Sequence, residues 1–338
     1  MLVSIIVPCR NELRHVRVFL DSVVAQEFPT GLQIEMLVAD GYSSDGTKQI
    51  LEEYAAAHSW IRVVDNPELV VSTGLNRAIG LASGEVILRM DVHAHYARDY
   101  IAQCVAVLFE SGADNVGGPA RTRSTGNMQH AISAAYNSPF ACGGSRFHDV
   151  NYEGYVDTVT FGCWHKGIFA KIGLFDEDLV RNQDDELNFR ITRSGGRIFQ
   201  SPRIRCWYEP RATLYALAAQ YLQYGFWKVR VIRKHGSPAS FRHLIPATFV
   251  VSIILALVAA LFSKFGIYAL FFILGTYFLA NLAASLTICR QNNRLFPAMP
   301  IVLATYHLSY GIGFLAGMAS MLASLGRGQS PTFRHSQT

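Results

Sequence analysis

From Leu244 onward the chain carries three apolar runs in close succession, over 244–262, 266–289 and 299–325. Each is long enough to cross about 30 Å of hydrocarbon as a helix. In lipid every backbone polar group needs a partner within the structure, so such runs leave little but helices open to this part of the chain. Three in a row predict three transmembrane helices rather than buried core helices. Positive charge collects before the first run (Arg230, Arg233, Lys234, Arg242) and between the second and third (Arg290, Arg294), while the loop between the first two has only Lys264. The positive-inside rule then keeps the large N-terminal part cytoplasmic and sends the C-terminus out.

Up to about Ser240 the composition is that of a soluble α/β protein, and 338 residues suffice for more than one structural unit. A net charge of +5 is too small to argue for a nucleic-acid partner. The six cysteines (Cys9, Cys104, Cys142, Cys163, Cys206, Cys289) form no C-x-x-C pair. They suggest neither a zinc site nor a disulfide framework, and read instead as buried free thiols in a reducing compartment. A strand begins almost at once, with no charged region leading a cleavable apolar stretch, so the first domain is expected to stay in the cytoplasm.

The pattern along this domain is regular. A buried strand over 2–7 stops at Pro8, and Asn11 is placed to cap a helix whose apolar positions are Leu13, Val16, Leu20, Val23 and Val24. A strand over 34–39 ends at Asp40, the turn 41–47 leads into a helix over 48–58, a third strand covers 61–64 and a helix 73–82. Val86, Ile87 and Leu88 then form a strand that delivers Asp91 and His93. Strands alternating with helices at these spacings predict parallel β-α-β units in an open doubly wound sheet. Ligands of such sheets bind at the carboxyl ends of the strands. Residues 8–12, 40–45 and 91–93 all fall there.

At a strand end, side chains two apart share a side, so Asp91 and His93 can put a carboxylate oxygen and an imidazole nitrogen on one divalent cation. Alternatively Asp91 caps the following turn. Asp40 and Asp45 have their own plain reading as turn and helix-capping residues. No G-x-G-x-x-G follows the first strand and no G-x-x-x-x-G-K-[ST] occurs, which removes the common dinucleotide and P-loop cradles. Acidic strand ends suit a ligand presenting hydroxyls and imino groups, its diphosphate neutralised by a metal, and a sugar nucleotide fits.

Further on, a helix over 99–110 leads to a long stretch, 121–151, rich in Gly, Ser, Arg and Asn, with one short helix around 128–136. Residues 140–145 are either a mobile substrate flap or a plain connector. A strand over 159–163 carries Trp164 at its end, and another covers 197–200. Between them Asp184, Asp185 and Glu186 open a helix (187–193), where the dipole favours acids. One of the three can instead face the cleft as a general base. The helix over 214–234 mixes aromatic with basic residues and reads as interfacial.

From Ser4 to about Lys228 the chain resembles the family 2 glycosyltransferases of GT-A fold, in the branch of membrane-anchored glucosyltransferases of bacterial exopolysaccharide synthesis. Pro8-Cys9-Arg10-Asn11-Glu12 is similar to the family's first-strand motif. Asp40 falls at its uracil-binding aspartate, with Gly41 in place of the second acid. Asp91-Val92-His93 stands for the metal-binding D-x-D motif, and Asp184 corresponds to the catalytic base, with Gln183 where the broader family has Glu. Gln223-Tyr224-Gly225-Phe226-Trp227 resembles the Q-x-x-R-W box of processive synthases, but Phe226 replaces its Arg, which favours transfer of a single sugar.

The resemblance implies inverting transfer from a UDP-sugar, with glucose the expected sugar, to a polyprenyl-diphosphate-linked saccharide at the inner membrane of a bacterium. It assigns Pro8, Arg10, Glu12, Asp40 and Asp91 to the donor nucleotide, and Asp91 and His93 to Mg2+ or Mn2+. Asp184 becomes the base, and Trp164, Asp185, Gln223 and Trp227 meet the acceptor. The expected domains are a mostly parallel catalytic domain (1–210), an interfacial helix and linker (211–243), three transmembrane helices (244–325) and a tail (326–338). Two alternatives are an inactive membrane-anchored assembly subunit and a nucleotidyltransferase. Asp40, Asp91 and Asp184 together speak against the first, and the absence of a Gly-rich basic loop at 8–12 against the second.

Overall fold

In the computed structural model, which describes residues 1–326, the apolar run at the N-terminus becomes strand β1 (Leu2–Cys9). There follow α1 (Val16–Val24), β2 (Gln33–Asp40), α2 (Thr47–Ala57), β3 (Ile61–Asp65), α3 (Val71–Leu81), β4 (Val86–Arg89), β5 (Ala94–Tyr96), α4 (Tyr100–Ser111), β6 (Asn115–Gly118) and β7 (Arg121–Thr122). Next come α5 (Asn127–Tyr136), α6 (Pro139–Cys142), β8 (Gly154–Val156), β9 (Thr160–His165), α7 (Ile168–Ile172), α8 (Gln183–Arg193), β10 (Ile198–Gln200) and β11 (Cys206–Tyr208). The chain ends in α9 (Leu214–His235), α10 (Ile245–Ala260), α11 (Lys264–Ile288) and α12 (Met299–Gly326). The expected tail, from residue 327 on, lies outside the described residues.

Two units emerge. The first comprises Met1–Arg123 and Arg146–Glu209. Its main sheet has the order β3-β2-β1-β4-β9-β6-β10-β8, and β5-β11-β7 form a small second sheet. β3, β2, β1 and β4 run parallel as the alternating pattern predicts, but β9 inserts antiparallel between β4 and β6, so the sheet is mixed. Period-two alternation sorts β1 cleanly. Val3, Ile5 and Val7 pack with α1 and α4 on one face, and Ile6 packs with Leu75 and Ile79 of α3 on the other. Helix α8 joins this second face through Leu187 and Ile191.

Two local expectations change. Helix α1 starts at Val16, with His15 at its cap, rather than at Asn11. Asn11 itself is left-handed (φ 55°), and its side-chain oxygen accepts a hydrogen bond from the Ser44 amide. Trp164 was expected to meet an acceptor, yet it is 1% exposed. The register places it opposite Ile87 of β4, so it shares that residue's face and packs among Phe169 and Phe175. It is a core residue. All six cysteines are free, and five are buried.

The second unit holds residues 124–145 together with the described chain from Pro210 on. Three of its helices are long and apolar enough to cross a membrane: Phe241–Ala260, Lys264–Gln291 and Met299–Ser324. α9 runs against α12 at van der Waals contact of the backbones. A Cβ on Gly225 would stand 2.1 Å from the Tyr310 carbonyl oxygen, and one on Gly313 2.1 Å from that of Leu222. Small residues permit this close approach, which suits helices that gain little from the hydrophobic effect. Residues 124–145, expected within the catalytic domain with 140–145 as flap or connector, pack here: the Tyr306 hydroxyl donates to the Ile132 carbonyl at 3.1 Å, and Nε2 of His307 lies 2.9 Å from that of Phe140.

Because Trp164 fills the core, Trp164→Ala should destabilise the first unit by about 3–5 kcal/mol. Denaturant unfolding of the full chain in detergent, followed by circular dichroism, measures this. A variant of wild-type stability would return Trp164 to the surface.

Candidate functional site

The acid-bearing loops at the ends of β1 and β2 are stapled to each other. The Glu12 amide donates to Oγ1 of Thr47 at 2.7 Å, the Leu13 amide to Asp45 at 3.1 Å, and the Asn11 amide to Oγ of Ser43 at 2.9 Å. Asp45 also accepts from the Thr47 hydroxyl and amide, which hold its carboxyl below the usual range. Its turn-and-cap reading therefore matches the geometry. Asp40 stands at the β2 terminus as expected, but it is fully enclosed and its carboxylate accepts from the hydroxyl and amide of Ser43. It shapes the loop without presenting surface to a ligand. Gly41 leaves room for the stem of Arg10, whose Cδ would lie 3.1 Å from a Cβ there. Arg10 is exposed and Pro8 half-buried beside it.

Strand β4 ends at Arg89, two residues before Asp91, and the chain turns through Val92 and His93. The strand rule that would have put Asp91 and His93 on one side therefore does not apply. Tyr96 closes the turn: its hydroxyl accepts from the Asp91 amide at 2.7 Å and donates to the Asp91 carbonyl at 3.0 Å. The Asp91 carboxylate faces Arg89, which donates from Nε and from Nη2 at 3.0 Å each. The remaining Nη1 of Arg89 donates to Asp184 at the head of α8. Arg89 is nearly buried, with 4% of its side chain exposed. A charge so placed requires such partners.

Helical spacing explains why Asp184 is the member of its acidic trio that reaches Arg89. Leu187 and Ile191 lie three and seven residues on, so Asp184 shares their core-facing stripe. Asp185 lies about 100° around the helix. Glu186 is fully buried and pairs instead with Arg190, one turn later in the same helix. The first residue of α8 follows Asn182, which is in the left-handed region (φ 62°). Removal from water raises the Asp184 carboxyl to about 6, with Asp91 and Asp185 adding repulsion and Arg89 opposing the rise.

A second cluster lies beside this one. A carboxylate oxygen of Glu12 and imidazole nitrogens of His15 and His93 lie within 4.8 Å of one another. Nε2 of His93 is 3.1 Å from Oε1 of Glu12, and the two imidazole rings meet edge to face at 5.6 Å. Asp91 is not a member of this group. One carboxylate and two imidazoles are a donor set that fits a divalent transition ion.

The fold thus brings Glu12 to His93 and, through Arg89, Asp91 to Asp184. It withdraws Trp164. Asp185 is half-buried next to Asp184. Gln223 and Trp227 belong to the second unit, Gln223 exposed and Trp227 half-buried with Arg230 over its ring at 5.8 Å. Arg89, Tyr96 and His15 were not singled out from sequence. An arginine inside the apolar run that ends at Asp91 was the signal for the first.

The family described as Glycosyl transferase family 2 matches residues 4–164. The succinoglycan biosynthesis protein ExoA of Rhizobium meliloti (strain 1021) is 29% identical over 244 residues, 72% of this chain and 73% of that protein. A dolichyl N-acetyl-alpha-D-glucosaminyl phosphate 3-beta-D-2,3-diacetamido-2,3-dideoxy-beta-D-glucuronosyltransferase of Methanococcus voltae is 25% identical, covering 94% of this chain and 97% of its own. Among solved structures, the mannosyltransferase PcManGT of Pyrobaculum calidifontis, in complex with GDP-Man and Mn2+, superposes with a TM-score of 0.58 at 18% identity, over 93% of this chain and 86% of that one. That likeness is one of fold.

Removed from water, the Asp184 carboxyl should titrate near pH 6 rather than at 3.8, even with the Arg89 cation beside it. Arg89→Gln should raise the midpoint further, since it removes the one attraction that favours the charged form. Carbon-13 NMR of labelled aspartate carboxyls checks both, and a midpoint near 4 would contradict this environment.

Proposed function

We propose that this chain, whose residues 4–164 match the family described as Glycosyl transferase family 2, is a family 2 glycosyltransferase that moves one sugar from a UDP-sugar, glucose being the expected one, to a polyprenyl-diphosphate-linked saccharide in exopolysaccharide assembly. The observation that carries this reading is Asp184. Its carboxyl is tuned to about 6 at the mouth of a helix, beside the Arg89–Asp91 pair at the end of β4. A base with such a value is ionised at neutral pH yet still takes a proton readily.

In this reading the strand-end loops hold the donor. Arg10, exposed at the β1 terminus, meets the diphosphate, while Pro8 and the loop shaped by Asp40 and Ser43 receive the uridine. A divalent ion, when bound, would supply positive charge against the departing diphosphate. Asp184 accepts the proton of the acceptor hydroxyl as that oxygen attacks the anomeric carbon in line, which inverts the configuration. Arg89 keeps Asp184 and Asp91 in place without quenching the base. Asp185 is assigned to the acceptor. The relative from Rhizobium meliloti, a succinoglycan biosynthesis protein, and the dolichyl-phosphate-linked name of the Methanococcus voltae enzyme support a polysaccharide or lipid-linked acceptor. Three helices long and apolar enough to cross a membrane support a membrane-associated protein.

Membranes carrying the protein, incubated with radiolabelled sugar nucleotides and then extracted for lipid, should label the lipid fraction from a UDP-sugar. Asp184→Asn should cut turnover on the order of 10²–10⁴-fold while leaving UDP-sugar binding intact, and Asp185→Asn should be much milder. Because the ionised carboxylate is the active form, the wild-type rate should be full above about pH 6 and fall as pH drops through that value. Near-normal turnover in Asp184→Asn would end its role as base.

Topology has its own test. With cations before the first span and between the second and third, a reporter fused after Thr338 should be active only outside the cytoplasm. Cytoplasmic activity there would mean an even number of crossings.

A further inference from the structure

We propose that the divalent ion of this site is held by Glu12, His15 and His93, and that Asp91 is not one of its ligands. The role of that ion rests on the glycosyl-transfer reading, but its binding does not. Strands β1 and β4 are neighbours in the sheet and run parallel, so the segments leaving their carboxyl ends converge. Glu12 and His15 come from the first and His93 from the second. Their donor atoms lie within 4.8 Å of one another, a separation one ion can span with small side-chain adjustments at about 2.0–2.2 Å per ligand.

The frame beneath these donors is fixed. The Glu12 amide is held by Thr47, and the Glu12 carbonyl accepts from the amides of His15 and Val16 at 2.9 and 2.8 Å. One tight turn therefore sets two of the three ligands at once. The Glu12 carboxylate is recessed, 14% exposed, while the His93 imidazole is 64% exposed. An ion bound here would be held by one recessed carboxylate and two exposed imidazoles.

Asp91 is placed differently. Both of its oxygens are taken by Arg89 at 3.0 Å. For Asp91 to turn to a metal it would have to leave a guanidinium that is nearly buried and, among the described residues, has one other carboxylate, Asp184, bonded to it. Stripping a partner from a buried charge is strongly unfavourable. The donor set also selects the ion. Two imidazoles favour first-row transition ions, with the carboxylate keeping Mn2+ among them, and they suit Mg2+ poorly.

The test is a titration of the full-length protein in detergent with Mn2+, alone and with UDP, following the six-line electron paramagnetic resonance signal of the free ion. The wild type should bind one Mn2+, with Zn2+ competing and Mg2+ competing weakly. Glu12→Gln, His15→Ala and His93→Ala should each weaken binding at least tenfold, since even residues behind the ligands are worth roughly 10–100-fold. Asp91→Asn should leave the affinity within about threefold. Thermal unfolding by circular dichroism checks that each variant folds, and His15 and His93 are exposed enough that both should melt with the wild type. Loss of Mn2+ in Asp91→Asn with retention in folded His15→Ala and Glu12→Gln would overturn the proposal, as would absence of Mn2+ binding with and without UDP. If transfer proceeds with Mn2+ but His15→Ala and Glu12→Gln bind it normally, the site fails and the functional reading stands. If Mn2+ binds as described but no sugar nucleotide is consumed, the site stands and the functional reading fails.

Discussion

The buried guanidinium of Arg89 is the interaction on which the site depends. It joins Asp91, on the turn after β4, to Asp184, 93 residues later at the head of α8. A cation so little exposed is tolerable because two carboxylates surround it, one in the parallel fork geometry that favours arginine. Its direction follows from the pleat: Arg89 lies two residues after Ile87 and so points to the same face, the one α8 covers. Two carboxylates around one cation leave a net negative charge. That charge adds to the effect of burial in raising the Asp184 carboxyl to about 6.

Around this ion pair the backbone is held in conformations that L-residues seldom adopt. Asn11, Tyr42 and Asn182 all have left-handed φ, and they sit in the loop after β1, the loop after β2 and the cap of α8. Phe161, also left-handed, places its ring 5.9 Å from the Arg89 guanidinium. Such strain persists only where the surroundings over-determine it. Here the Asn11–Ser43–Ser44 and Glu12–Thr47–Asp45 hydrogen bonds do so for the loops after β1 and β2, and they give the exposed Arg10 a rigid base.

The second unit follows a different physics. Its helices expose apolar side chains, and α9 and α12 meet through glycine. Some of its polar groups are paired across helices: the Asn281 amide donates to the Pro300 carbonyl at 3.0 Å, and the Tyr277 hydroxyl lies 3.0 Å from Nδ1 of His307. An unpaired polar group in hydrocarbon is costly, which accounts for this pairing.

The amino-acid order by itself determined whatever depends on local period. Alternating strands and helices up to β4, the three long apolar helices, and the acids gathered at strand and helix ends were legible from patterns of two and 3.6 residues. Asp184 could be located as the head of a helix, but not its partner. Trp164 read as a strand-end aromatic because nothing nearby in sequence reveals that β9 inserts antiparallel beside β4 and sets it against Ile87. Asp91 and His93 read as a pair because a strand was assumed to continue through them, whereas β4 stops at Arg89 and the turn separates their roles. His15 gave no sign of meeting His93, 78 positions away. Which distant residues touch is decided by strand order and register. Those depend on how whole faces pack, a property that no window of neighbouring residues contains.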